Sequence, residues 1–176
     1  MEDKSIEIKT RYNSHQHELL DMGEDINKEV TTDFRKHGFY DPTAHFIYCD
    51  QEGELKVKTI SLFKMIEDED ECSRMLKREA KRIQAMAIVF AFEAYRLDGS
   101  KAIKKNNPHK PLSDNPNSIE SVFVEYESIY EKKIWVYDVN RQEGILKLEG
   151  GEVITDGNWG GRFGSILPKW KPVTLA

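Results

Sequence analysis

The segment from Ala85 to Leu97 constrains the fold more than any other part of the chain. It reads Ala-Met-Ala-Ile-Val-Phe-Ala-Phe-Glu-Ala-Tyr-Arg-Leu. Its apolar residues run on without alternation, so a strand here must be buried on both faces. Glu93 interrupts it and keeps it far too short to cross a bilayer. A central strand needs neighbours on each side and cover above and below. The rest of the chain therefore has to supply a sheet and its covering layers.

The flanking segments fit that demand. Residues 15–36 carry Leu19, Met22, Ile26 and Val30 at spacings of three and four, which predicts a helix with one apolar stripe. Ser14 is the expected N-cap and Gly38 the expected stop. Ala44 to Cys49 and Glu54 to Leu62 read as two strands joined by Asp50-Gln51-Glu52-Gly53, a hairpin. Leu55, Val57 and Thr59 alternate with Lys56 and Lys58, so one face of the second strand is expected to be wet. A second helix is expected over about 72–84, opened by Asp70 or Glu71, with Leu76, Ala80 and Ile83 inward. Later strands are expected at 121–129, 133–140, 144–148 and 152–155, and their short connections force antiparallel pairing. The fold class is α+β. Five to six strands form an antiparallel or mixed sheet, with the N-terminal and central helices packed on one face.

A chain of 176 residues fits one domain. Residues 1–14 are expected to be flexible, 100–117 to form a long polar loop, and 157–176 to be irregular. Only two cysteines occur, Cys49 and Cys72, without metal-ligand spacing. That predicts a reducing, cytoplasmic setting. No apolar stretch follows the first residues, so no secretory signal is expected. The net charge of −5 disfavours broad phosphate binding.

Glu93 is the foremost candidate for chemistry. A buried carboxylate without partners takes up a proton or costs several kcal/mol, and such a site can serve as a general acid or base. The competing reading is a structural ion pair, with Arg96 or a lysine of a neighbouring strand. His45 and Glu120 are its candidate helpers. His45 on a strand is more often a packed, hydrogen-bonded residue. Its pairing with Cys49 fails, because four strand residues span about 13 Å. His15 and His17 start a helix, where positions i and i+2 diverge by about 200°, which is poor metal geometry. No cofactor and no metal is expected.

Two irregular segments carry residues suited to contacts. Loop 100–117 holds four lysines and three prolines. Lys104, Lys105 and His109 are its candidate binding residues. The glycine-rich stretch 157–164 contains Trp159, Arg162 and Phe163, which suit interface anchors as well as a local core. No Gly-Lys-Ser/Thr follows, so a phosphate cradle is not supported. The basic helix residues Arg74 to Arg82 and the loop lysines lie at opposite ends of a strand about 35 Å long. One continuous phosphate track is therefore disfavoured, and so is nucleic acid as a partner.

Phe92-Glu93-Ala94-Tyr95 is followed by Pro111-Leu112-Ser113-Asp114-Asn115-Pro116-Asn117-Ser118-Ile119-Glu120 and Val122-Phe123-Val124. This arrangement resembles a loose family of small uncharacterised bacterial and phage proteins. In that family the first motif is usually Glu-Ala-Trp, where this chain has Tyr95. A basic residue commonly stands two places before the second glutamate, where this chain has Ser118. The resemblance implies a bacterial or phage origin and a shared strand-loop-strand core. It carries no activity.

The expectation is a non-enzymatic binding or accessory protein acting through protein contacts. The alternatives are a hydrolase-type enzyme with Glu93 as acid or base, and a self-assembling structural subunit using the striped N-terminal helix.

Overall fold

A computed structural model describes residues 15–63, 68–97, 116–142, 145–154 and 166–167. It is an α+β fold. Helix α1 is Gln16–His37 and α2 is Glu69–Ile83. The strands are β1 Thr43–Cys49, β2 Leu55–Ser61, β3 Ala87–Leu97, β4 Ser118–Ser128, β5 Lys132–Gln142 and β6 Ile145–Ile154. They form one six-stranded sheet in the order β2-β1-β3-β4-β5-β6. Every pairing is antiparallel.

The apolar run from Ala85 is β3, and it lies inside the sheet between β1 and β4. Ala87, Val89 and Ala91 face one core, with Leu19, Ile26, Val30 and Phe34 of α1. Ile88 and Phe90 face the other, with Cys72, Leu76 and Ala80 of α2. The helices therefore cover opposite faces, not one face as expected. The reason is already in β3: alternate residues point to opposite sides, both sets are apolar, and each needs its own cover.

The ends of α1 show local rules at work. His15 occupies the N-cap position without a side-chain capping bond, and Ser14 lies outside the described residues. Gly38 ends the helix at φ 78°, and its N–H bonds the Phe34 carbonyl. α2 starts earlier than the sequence suggests. Asp68 caps it by accepting the Glu71 N–H at 2.9 Å.

The two last strand candidates are one strand, β6, with an irregularity. Val136 pairs with Glu152 and Tyr137 with Gly150, which leaves Gly151 as an extra residue at φ 92°. A β-bulge of this kind suits glycine. The expected break at Gly150-Gly151 is a kink within one strand.

β2 is exposed on most of its length, and Val57 retains 40% of its surface. The expected contrast of one wet and one dry face is blurred, because β2 is an edge strand. Among the described residues no helix is long and apolar enough to cross a membrane. Cys49 and Cys72 belong to the two different cores, and no disulfide joins them.

Candidate functional site

β1 stops pairing with β3 at Thr43 and Ala91. β3 continues to Leu97 against β4. Glu93 stands just past the start of β1, on the α1 face. The connection from α1 to β1 passes over it, and the Tyr40 backbone N–H donates to Glu93 Oε1. Burial pushes the Glu93 carboxyl above its ordinary range; the Tyr40 hydrogen bond opposes this, and the nearby Glu120 charge adds to it.

Glu120 shares that face. It sits opposite Tyr95, one diagonal step from Glu93. Arg141 of β5 holds both its oxygens, Nε to Oε2 at 3.0 Å and Nη2 to Oε1 at 2.7 Å. The same Nη2 donates to the Gly38 carbonyl at 2.7 Å, and the guanidinium lies 5.7 Å from the Phe34 ring centroid. Arg141 thus fastens the C-terminal end of α1 to β4 and β5. A bidentate fork of this kind is specific to arginine.

His45 lies on the same face, further along the sheet, beside Val89. It is buried, with Nε2 3.0 Å from Thr43 Oγ1 and Nδ1 2.9 Å from Thr59 Oγ1. The Tyr40 hydroxyl lies 3.5 Å from Nε2 and accepts from Thr43 Oγ1 at 3.2 Å. Burial pulls the His45 pKa down to about 4, so the ring is neutral at physiological pH.

The structure places the three sequence candidates Glu93, Glu120 and His45 on one face, with Glu93 and Glu120 diagonal neighbours and His45 beside Val89, four residues back along β3 from Glu93. Each is held by groups that serve the fold. Arg96, the expected partner of Glu93, is on the other face. It is three residues away, an odd number, and a strand alternates faces at every residue. There its Nη2 meets Asp138 Oδ2 at 2.8 Å, and Ser121 Oγ donates to Asp138 Oδ1 at 3.1 Å. Arg141 is the residue that sequence reasoning missed. It lies far along the chain, and only the register of three strands places it here.

The Glu93 contact supplies a direct test. Glu93→Gln keeps an acceptor for the Tyr40 N–H and removes a partly desolvated charge, so its melting temperature should stay near the parent's. Glu93→Leu leaves that N–H without its acceptor and should cost about 1–2 kcal/mol. Thermal melts of both variants measure the difference. Equal stability of the two would show that the Tyr40 contact contributes nothing.

Of the other candidates, His15 bonds Glu18 at 2.7 Å, and His17 is exposed on α1. Asp50, Glu52 and Glu54 gather at the β1–β2 turn, within metal-ligand distance of one another. Asp50 Oδ1 closes this turn by accepting the Glu52 and Glu54 N–H groups, both at 2.9 Å. Lys56 offsets part of the charge, at 2.7 Å from Glu54 and 3.7 Å from Asp50. Lys104, Lys105, His109, Trp159, Arg162 and Phe163 lie outside the described residues.

No protein-family model, no curated protein and no solved structure matches this chain.

Proposed function

We propose that this protein binds another protein without catalysing a reaction, and that β2 is where the partner docks. The outer edge of β2 carries the reading. In the β1–β2 ladder the Asp50 N–H bonds the Glu54 carbonyl and the Leu62 N–H bonds the Pro42 carbonyl, each at 2.8 Å. Bonded pairs recur at every second residue of an antiparallel ladder. Lys56, Lys58 and Ile60 therefore turn their backbone groups toward β1. Leu55, Val57, Thr59 and Ser61 turn theirs outward, and no strand meets them among the described residues. An extended partner segment can add there as a further strand. Val57 at 40% and Phe63 at 66% exposure give that segment apolar contacts beside the backbone bonds.

The usual protection of such an edge is weakened. Edge lysines normally repel a second chain. Here Lys56 bonds Glu54 at 2.7 Å and Lys58 bonds Glu79 at 2.6 Å. The hydrolase reading has less support, because Glu93, Glu120 and His45 each hold a structural bond. The proposed setting is a bacterial or phage-infected cytoplasm, in line with the family resemblance and with cysteines that no disulfide joins.

Val57→Pro tests this. It removes an outward N–H and leaves the ladder to β1 intact, as edge strands allow. Its melting temperature should stay near the parent's. In a pull-down from lysate of the source organism, a partner recovered by the parent should fall about tenfold or more, the loss of roughly one well-placed contact. Recovery of the same proteins in equal amount by the variant would overturn strand addition. So would recovery of background proteins alone at micromolar bait.

A further inference from the structure

The outer surface of α2 carries a second kind of chemistry. Arg74, Lys77, Arg78, Lys81 and Arg82 are all exposed. At about 100° per residue these five side chains fall within an arc of about 140°. That arc lies opposite Cys72, Leu76 and Ala80, which are buried against the sheet. The cations therefore form one stripe, about 12 Å long by helical rise. Among the described residues only Arg82 is engaged, bonding Glu79 at 2.6 Å beside Lys58. Arg74, Lys77, Arg78 and Lys81 have no ion-pair partner among the described residues. In a chain of net charge −5 this is a concentrated patch of the minority sign.

We propose that the stripe on α2 is a docking surface for a short acidic segment of a partner protein. Its ends decide between that partner and a nucleic acid. Asp68, Asp70 and Glu71 are exposed at the N-terminal end of α2. At the other end, Arg82 and Glu79 adjoin Lys58, and two residues back along β2 Lys56 is paired with the acidic turn of Asp50 and Glu54. A polynucleotide running along the stripe meets the exposed acids Asp68, Asp70 and Glu71 at its N-terminal end, within one Debye length, roughly 10 Å, of Arg74 by helical rise. A segment of a few carboxylates ends before it does. Arginine and lysine together suit carboxylates, arginine by its planar fork. This surface does not depend on strand addition at β2.

The test titrates the full chain into a fluorescein-labelled oligoglutamate peptide at low salt, read by anisotropy. Oligothymidylate and oligolysine serve as the comparison probes. The parent should bind oligoglutamate more tightly than oligothymidylate and should not bind oligolysine. Arg78→Glu/Lys81→Glu should weaken oligoglutamate binding about tenfold, since several exposed charge contacts are each lost or reversed. The milder Arg78→Gln/Lys81→Gln should give a smaller loss, and circular dichroism should show both variants folded. Lys147→Glu, an exposed site on β6, should bind as the parent does. Tighter binding of oligothymidylate would overturn the proposal in favour of a phosphate surface. It would also fail on absent oligoglutamate binding, or on an equal loss in Lys147→Glu.

Discussion

Between neutral pH and pH 4 the protein should lose about 3 kcal/mol of stability through His45 alone. The ring is buried, and its pKa in the fold is about 4 against an ordinary 6.5. A histidine with a lowered pKa contributes stability that is fully present above its unfolded pKa. In the window from about 6.5 down to 4 the unfolded chain binds a proton that the folded chain does not. Stability therefore falls as pH falls through that window, by about 1.4 kcal/mol per pH unit. The cause is burial, because the groups touching the ring are the hydroxyls of Thr43, Thr59 and Tyr40, and none carries a compensating charge.

Some carboxylates act in the opposite sense. Burial raises Glu93, Glu125 and Glu127. Their folded forms hold protons more tightly than the unfolded chain does, so acid adds stability through them. Glu79, held down to about 2 by its bonds to Arg82 and Lys58, and Asp50, lowered by the Glu54 N–H, act in the same sense as His45, so the raw pH curve of the parent sums groups of both signs. A comparison with His45→Gln isolates the ring. Gln cannot ionise, yet it offers an acceptor and a donor to the two threonines. In urea unfolding at pH 7 and pH 4, the parent should lose about 3 kcal/mol more than the variant does. If both lose the same amount, the ring is not buried in its neutral form. The result also bears on chemistry. A histidine that stays neutral with both nitrogens occupied is poorly suited to shuttle protons at neutral pH.

The hairpin of β1 and β2 is legible in the sequence because Asp50 to Gly53 is turn chemistry between two β-rich runs. β3 is legible as a central strand from its length of apolar residues; those residues demand cover on both faces, which the expectation of two helices on one face did not carry through. What stays hidden depends on register. Glu93 pairs with Val122, Val122 with Tyr137, and Arg141 lies four residues further along β5. No local pattern carries that chain of pairings. The hidden part of α1 is of another kind. Leu19, Met22, Ile26 and Val30 mark its stripe, but the buried row also includes Gly23, Asn27 and Thr31. These residues do not register as apolar, although they stand four apart from Leu19 onward. Asn27 reaches across to the Tyr137 hydroxyl at 2.7 Å, and Thr31 turns its hydroxyl back to the Asn27 carbonyl at 3.1 Å. Among the described residues the Asn27 Oδ1 is buried without a hydrogen-bond partner.

Gly23→Val should be among the most damaging single changes on α1, at about 3 kcal/mol. A Cβ at this position would stand 2.6 Å from Tyr126 Cδ2 and 3.0 Å from Cε2, too close for carbon atoms. Tyr126 cannot give way easily. It is fully buried, in a core shared with Leu19, Val30, Phe34 and Trp135. The helix must then lift from β4, and overpacking of this sort costs about 1–3 kcal/mol, with valine at the upper end because it adds two further methyl groups. The gain in helix propensity on replacing glycine returns only a few tenths of a kcal/mol for valine. Gly23→Ala separates the two effects: it gains about 1 kcal/mol of propensity and meets the Cβ clash without valine's two further methyl groups. It should fall between parent and valine. The decisive measurement is a double-mutant cycle by chemical unfolding. Tyr126→Leu removes the ring that the new side chain strikes, so Gly23→Val should cost at least about 1 kcal/mol less in that background than in the parent. Additive costs would mean that α1 is held off the sheet by some other contact, and that the close approach at Gly23 does not set the helix's distance from β4.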